Sequence, residues 1–275
     1  MINLSNEVER ASASIVAVHA RRGIGTSGIF WQDNLILTSA EGVRVDEGIK
    51  LLLPDGRVVA AKFRGRDSGT DLALLEAEVI LPKLEFADDK ALKVGQLVVA
   101  VGRTSNTGPI ASSGIVSGVS GEWKTWRGGK IDPFVRLDIS AYPTLSGGPA
   151  VDADGKVIGL ISTGLSRSSI FAVTRSTIDR IAGKLSEQGY VSRGFLGVTL
   201  QQVGPGTMLI GVDPEGPAAA GGLLLGDVLV EFARPEALSE FLERTPAGQT
   251  VKFKVLRAGV LQDLEVRVGE RPRRK

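Results

Sequence analysis

The sequence has no cysteine and a single histidine, and each scarcity excludes classes of chemistry. Without a thiol the chain can form no disulfide, cysteine nucleophile, iron–sulfur cluster or thiolate zinc site. The chain has one imidazole, that of His19, and so excludes histidine-rich metal centres. Histidine is also the residue type whose unperturbed pKa lies near neutral pH. We therefore expect no metal and no cofactor, and any serine nucleophile needs an explanation for its base.

The chain also lacks a strong charge imbalance and long apolar runs. Its 33 basic and 31 acidic side chains leave a net charge of +2, which is too small to indicate nucleic-acid binding. The basic residues 271–275 are typical of a solvated terminus. Residues 1–10 carry no secretory signal pattern, and no stretch reaches the ~18 apolar residues of a membrane helix. We expect no membrane segment in this chain.

Short apolar or alternating runs separated by glycine-rich turns fill the first two thirds of the chain. Such runs predict an all-β barrel or sandwich. The predicted strands are 14–19, 35–38, 49–53, 58–61, 72–75, 97–101, 110–117, 157–161 and 170–173. The fold class is therefore mainly β.

A helix and a second β-rich segment follow. Apolar residues recur every three or four positions over 175–187, which predicts a helix with Thr174 or Ser176 as its N-cap and Gly189 beyond its end. A further helix is predicted over 235–244, among short strands. The length of 275 residues suggests two domains.

The string from Tyr142 to Pro149, YPTLSGGP, carries the most chemical information. In it Ser146 precedes two glycines, which let the backbone approach a ligand closely and can aim N–H groups at a developing oxyanion. This layout is typical of a serine hydrolase. Taken alone, the same string also fits an ordinary turn.

Three strings together resemble the HtrA/Deg family. Asp138 precedes Ser146 by eight residues, Asp71 begins the string DLALL, and LTSAE ends at Glu41 where the family has Leu-Thr-x-x-His. The resemblance covers nearly the whole chain and implies a trypsin-like double β-barrel in residues 1–189 followed by a PDZ domain in residues 190–275. It makes Ser146 the nucleophile position, Asp71 the carboxylate that orients an imidazole, and Glu41 the occupant of the histidine position.

Glu41 lacks the property that the family's histidine supplies. The triad base must accept and return a proton near neutral pH, whereas a glutamate has an unperturbed pKa of about 4.3. Repulsion between two adjacent carboxylates would also raise the pKa of one member of a pair with Asp71. His19 lies about 20 positions too early, in the first predicted strand, and we assign it a strand-surface or satisfied polar role.

A second departure concerns the oxyanion positions, which the resemblance assigns to Thr144, Leu145 and Ser146. The family usually has glycine two residues before the serine, where a permissive backbone turns its N–H toward the oxyanion. A β-branched Thr144 disfavours that conformation. Both departures impair the same reaction.

The second segment resembles a PDZ domain. Phe195, Leu196, Gly197 and Val198 match the loop whose N–H groups bind a peptide carboxylate, and the string over 216–229 matches the family's Pro-Ala, Gly-Leu and Gly-Asp-Val pattern. The helix over 235–244 would form the other wall of the groove. A PDZ-shaped packing domain with an unused groove is the alternative.

The sequence therefore predicts a catalytically impaired HtrA-like serine-protease homologue that binds polypeptides or protein C-termini. One alternative is an active serine endopeptidase of protein quality control, which uses Glu41 unusually or takes a histidine from another subunit. Another is a scaffold subunit of mixed HtrA oligomers, because the family commonly forms trimers. The family also suggests a periplasmic or extracytoplasmic location, for which this chain shows no signal.

Overall fold

The computed structural model describes residues 4–20, 25–104, 108–125, 128–140, 142–166, 168–191 and 194–270. The basic residues 271–275 lie outside these ranges. The chain divides into two compact units, Met1–Val191 and Ser192–Lys275. The predicted mainly β fold is confirmed: the first unit contains two closed barrels, and the second is built on a five-stranded sheet.

The first barrel consists of six antiparallel strands. These are β1 Ile15–His19, β2 Thr26–Gln32, β3 Leu35–Ser39, β4 Ile49–Leu52, β5 Val58–Asp67 and β6 Leu72–Glu76. They close in the order β1-β2-β3-β6-β5-β4. The side chains of Ile36, Leu51 and Leu75 fill the interior and are fully buried. Burying a side chain of this size contributes about 1.5–3 kcal/mol, so the apolar runs determine the barrel.

The second barrel follows in the chain. Its segment contains β7 Leu97–Thr104, β8 Gly108–Ser120, β9 Trp123–Lys124, β10 Lys130–Ile131, β11 Phe134–Asp138, β12 Pro149–Val151, β13 Val157–Ser162 and β14 Ile170–Val173. Six strands close in the order β11-β14-β13-β12-β7-β8, and β9 pairs with β10 as a separate hairpin. Trp123 of this hairpin stacks on Phe171 of β14, with ring centroids 4.9 Å apart.

Two helices flank the barrels. Helix α1, Leu4–Ser12, was not predicted, whereas α2, Arg175–Gln188, confirms the prediction over 175–187. Gly189 ends α2 with a φ of 76°, a left-handed value that glycine adopts readily. Thr174 is the N-cap residue, but its hydroxyl donates to the Asp132 carbonyl. No helix in the described ranges is long and apolar enough to cross a membrane.

The second unit combines a sheet with two helices. Its elements are β15 Gly194–Phe195, β16 Val198–Val203, β17 Gly206–Val212, α3 Pro217–Ala220, β18 Val228–Leu229, α4 Pro235–Arg244, β19 Thr250–Arg257, β20 Val260–Arg267 and β21 Gly269–Glu270. The sheet order is β16-β17-β18-β19-β20, so β16 is an edge strand. Helix α4 confirms the prediction over 235–244, and Leu238 anchors it in the core with 1% of its surface exposed.

Candidate active site

The predicted site residues come from loops at the junction of the two barrels. Glu41 follows β3, and Asp71 lies in the turn before β6, both in the first barrel. Ser146 lies in the loop between β11 and β12 of the second barrel, and it is buried. The Ser146 carbonyl accepts a hydrogen bond of 3.0 Å from the N–H of Ser27 in β2. The serine loop, residues 142–148, is therefore attached to the first barrel.

A hydrogen-bonded turn over residues 67–70 positions Asp71. The carboxylate of Asp67 accepts hydrogen bonds from the N–H groups of Gly69 and Thr70, each at 3.2 Å, and from the Thr70 hydroxyl at 2.7 Å. This closed turn holds Asp71 at a φ of 57°, a left-handed value that aspartate tolerates better than most residues. The carboxyl group of Asp71 is thereby directed into the interior, with 1% of the residue exposed.

Three neighbours bind the Asp71 carboxylate. The Ser39 hydroxyl lies 2.9 Å from both oxygens, the Ser162 hydroxyl donates at 2.6 Å, and the N–H of Glu41 donates at 2.9 Å. Burial raises the pKa of the Asp71 carboxyl; the three donors oppose the shift, and the negative charge of Glu41 adds to it. Desolvation of the buried Asp71 carboxyl raises its pKa more than the charge of Glu41 does. From the sequence alone, only the charge of Glu41 was identified as a cause.

Glu41 and Asp71 approach the same point from two sides. A Cβ built on Gly164 would lie 2.7 Å from Oε2 of Glu41 and 3.0 Å from Oδ2 of Asp71. The Glu41 side chain is 38% exposed, and its ion pair with Arg44 is long, at 3.8 Å. The Glu41 carboxylate therefore stands beside the Asp71 carboxylate.

The Ser146 hydroxyl connects to the same segment of β13 and its following loop. It accepts a long hydrogen bond of 3.5 Å from the N–H of Thr163, the residue between Ser162 and Gly164. Because Ser162 binds Asp71 and Gly164 adjoins Glu41, this segment brings the three predicted catalytic positions into one site.

The serine loop forms a single 3-10 turn over Pro143–Leu145. The N–H of Leu145 donates to the Tyr142 carbonyl at 2.9 Å, and the N–H of Ser146 faces the Pro143 carbonyl at 3.4 Å. In a trans peptide the carbonyl and the following N–H point in opposite directions. The Pro143 carbonyl therefore occupies the position that the Ser146 N–H faces, and the N–H of Thr144 points away from that position, so the two amides do not converge on one oxyanion.

Several residues of the site were not singled out from the sequence. Ser39 and Ser162 bind Asp71, and Ser27 binds the serine loop at the carbonyls of Thr144 and Ser146. Each is a serine at or near the end of a strand that faces the barrel junction. Serines at strand ends are too common for this pattern to identify site residues without the fold. His19 ends β1, pairs with Lys50 of β4 and makes no hydrogen bond to the catalytic positions within the described ranges.

The second unit holds the predicted peptide-binding residues. Phe195 is half-buried, Leu196 is buried in the core, and Gly197 has a φ of 76°. The carbonyl of Leu196 accepts from Ala218, which fixes the loop on α3. Among the described residues, no hydrogen bond engages the N–H of Leu196 or of Gly197. Val198 then begins the edge strand β16.

Metal ligation finds no support in the part of the chain that the structure describes. No group of three or more histidine, cysteine, aspartate or glutamate side chains there could hold a metal ion.

Comparisons with protein families match both units. The family described as trypsin-like peptidase domain matches residues 26–160, and the family described as PDZ domain matches residues 194–268. A "Probable periplasmic serine endoprotease DegP-like" of Halomonas elongata is 34% identical over 92% of this chain and 57% of that protein. A protein of the same description from Rickettsia conorii is 30% identical, over 89% of this chain and 53% of its own length. The chain thus spans little more than half the length of these curated relatives.

Solved structures resemble the chain over its full length. The structure titled "HtrA-type protease AlgW with decapeptide" superposes with a TM-score of 0.77 at 26% identity, covering 99% of this chain and all of that one. A serine endoprotease from Yersinia pestis gives a TM-score of 0.78 at 26% identity, with 98% of each chain covered. The sequence comparison and the structure comparison therefore match the same group of proteins, described as serine endoproteases or HtrA-type proteases.

Proposed function

We propose, since the chain belongs to the HtrA/Deg family of trypsin-like serine proteases with a PDZ domain, that this member binds polypeptides without cleaving them efficiently. The observation that carries the proposal is Glu41, whose N–H donates to the Asp71 carboxylate and which the family resemblance assigns to the histidine position. A carboxylate beside a buried carboxyl group is a poor base for the Ser146 hydroxyl. Loss of one triad member lowers the rate by about 10⁴- to 10⁶-fold.

The serine loop supports the proposal independently. Efficient acyl transfer needs two N–H groups aimed at the developing oxyanion, and removing one donor costs about 10²- to 10³-fold in rate. Here the N–H of Ser146 faces the Pro143 carbonyl, and the N–H of Thr144, on the opposite edge of that peptide, points away from the position that the Ser146 N–H faces. The base and the oxyanion donors are thus both deficient at Ser146.

Polypeptide binding is proposed for the second unit. The edge of β16 offers main-chain groups to an added strand, and the N–H groups of Leu196 and Gly197 are suited to a terminal carboxylate. The structural relative AlgW is described with a decapeptide, and we extend peptide binding to this chain by that similarity. In the proposed mechanism the PDZ groove captures a peptide carboxyl end, and the cleft between the barrels holds chain without hydrolysing it.

Hydrolysis of casein by the purified chain tests the first half of the proposal. We expect no turnover above that of Ser146→Ala, and no stoichiometric labelling of Ser146 by diisopropyl fluorophosphate. Serine-dependent turnover at ordinary protease rates would overturn it. Peptide binding is tested separately with a library of free-carboxylate peptides, each compared with its amidated form; equal binding of both forms would exclude carboxylate capture.

An active endopeptidase is the second candidate, and the retained surroundings of Asp71 favour it. Ser39, Ser162 and the N–H of Glu41 hold this carboxylate as if to support a catalytic partner. If the chain is an enzyme that uses Glu41, Glu41→His should leave its rate unimproved or lower it. If it is impaired as proposed, the same substitution should leave the rate unchanged or raise it, never lower it.

A further inference from the structure

One buried hydroxyl connects the first barrel to the serine loop. Ser27 in β2 has no exposed surface, and its Oγ accepts the N–H of Arg103 at 2.9 Å. With that acceptor role filled, the hydroxyl proton is directed to the carbonyl of Thr144, at an Oγ···O distance of 2.5 Å. The hydrogen bond from Arg103 to Ser27 thus sets the direction in which the hydroxyl donates.

The same strand holds the loop on the other side of Leu145. The N–H of Ser27 and the hydroxyl of Thr26 both donate to the Ser146 carbonyl. Space around these contacts is tight, since a Cβ built on Gly102 would lie 2.8 Å from the Thr144 carbonyl and 2.9 Å from the Ser27 Oγ. Two consecutive residues of β2 therefore fix two carbonyls of the turn.

The anchored Thr144 carbonyl restricts how the turn can open. Bringing the N–H of Thr144 beside that of Ser146 requires the Pro143–Thr144 peptide to rotate by about half a turn, because its carbonyl now faces Ser146. If the next peptide cannot move, the whole rotation falls on ψ of Pro143 and φ of Thr144. The φ of Thr144 would then enter the left-handed region, which a β-branched residue disfavours.

We propose that Ser27 is a positioning residue that keeps the serine loop in its closed turn, through a hydroxyl oriented by the N–H of Arg103. Without this bond, the Thr144–Leu145 peptide can share the rotation, and the turn opens by routes that avoid a left-handed Thr144. The inference extends the proposed function by naming what holds the oxyanion amides apart. It concerns the conformation of the loop and can fail or succeed whether or not the chain cleaves polypeptides.

Amide hydrogen exchange in Ser27→Ala tests the proposal directly. We expect exchange at Leu145 and Ser146 to accelerate about two- to tenfold, the factor that one lost hydrogen bond contributes, while Leu75 of β6, which pairs with β3 and β5, and Val99 of β7 keep their rates. Ser14→Ala is the matched control, because Ser14 is equally buried and its hydroxyl donates to the Pro82 carbonyl at 2.6 Å. Equal rates at Leu145 in both variants, or acceleration of the whole barrel alike, would overturn the proposal.

Reactivity of Ser146 provides a second measurement. In a Glu41→His background, Ser27→Ala should accelerate labelling by diisopropyl fluorophosphate about two- to tenfold, and Ser14→Ala should not. The Ser146 oxygen bonds to phosphorus, fluoride leaves, and the serine proton passes to the imidazole introduced at position 41. Ser27→Cys, whose thiol is a weaker donor, should give a smaller change of the same sign and replaces Ser27→Ala if that variant does not fold. Unaltered labelling in the folded variants would contradict the proposal, whereas rapid labelling of the unsubstituted chain would contradict only the proposed function.

Discussion

Replacing Thr144 by glycine should raise the reactivity of Ser146 strongly only when a histidine also replaces Glu41. The two substitutions repair different parts of the reaction. Glu41→His supplies a base at a backbone position that already donates its N–H to Asp71 at 2.9 Å. Thr144→Gly permits the left-handed φ through which the Thr144 N–H can turn toward that of Ser146.

The backbone conformation of Thr144 determines the expected size of the Thr144→Gly effect. The closed turn has Thr144 at an ordinary negative φ, and the opening rotation reverses its sign. A residue with a Cβ pays roughly 1–2 kcal/mol for the left-handed region relative to glycine. The opposing bond between Ser146 N–H and the Pro143 carbonyl is long, at 3.4 Å, and adds little. We therefore expect the open turn to become about 5- to 30-fold more populated with glycine, since 1.4 kcal/mol corresponds to a factor of ten.

Labelling of Ser146 by diisopropyl fluorophosphate is the assay, with the labelled residue identified by mass spectrometry. The chain is compared with Glu41→His, Thr144→Gly and the double variant, and Ser146→Ala defines the background. Thr144→Ala is the matched control, because alanine removes the β-branch but keeps the Cβ. The double variant should react about 5- to 30-fold faster than Glu41→His alone, and Glu41→His/Thr144→Ala should show a much smaller gain.

Two outcomes would refute this reasoning. Equal rates for Glu41→His and the double variant would show that Thr144 does not restrict the oxyanion amides. A large gain from Thr144→Gly alone would show that Glu41 already serves as an adequate base. The double variant should also be checked for unchanged folding, because a glycine in the turn increases the entropy of the unfolded chain.

Two buried carboxyls should respond to pH with opposite signs. In the second unit, burial raises the pKa of the Asp227 carboxyl more than any single partner lowers it, but the hydrogen bonds and charge of Arg257 and the N–H of Leu224 together lower it below its usual value. This stabilisation is present above the unfolded pKa of about 3.9 and is lost as pH falls through the folded value. The stability advantage of the chain over Asp227→Asn should therefore shrink in acid, and a pH-independent difference would contradict the prediction. The raised pKa of Asp71 has the reverse sign, so its ionisation lowers the stability of the first unit as pH rises, which comparison with Asp71→Asn by denaturant unfolding can test. Leu238→Ala should destabilise the second unit by about 2–5 kcal/mol and weaken peptide binding, whereas a loss below ~1 kcal/mol would show that α4 is not anchored as described.

Local sequence patterns predicted the strands and helices that bury apolar side chains. The runs that became β1, β3, β6 and β13, and the helices α2 and α4, were predicted close to their observed bounds because each carries a clear apolar pattern. Strand β2 was missed, since its TSGIFWQ sequence opens with small polar residues that read as a turn. Those residues are buried because they contact the serine loop, a reason that appears only in the fold.

The short strands β11 and β12 were missed for a similar reason. Strand β11 alternates apolar and charged residues over its last four positions, and β12 has three residues beginning with proline. Neither shows the apolar run of β1, β3 and β6, although β11 has the same length of five residues. Their partners in the closed barrel, not their own propensity, make them strands.

The sequence alone determined the identities that matter for the chemistry: no cysteine, one histidine in the first strand, Glu41 after the third and Thr144 before Ser146. Those identities follow from residue type and need no coordinates. The tertiary structure decided where hydrogen bonds and charges fall: it buried Asp71 among three donors and closed the serine loop on Ser27. Such contacts between β2 and the serine loop join residues up to 120 positions apart, so they arise only when two barrels close against each other.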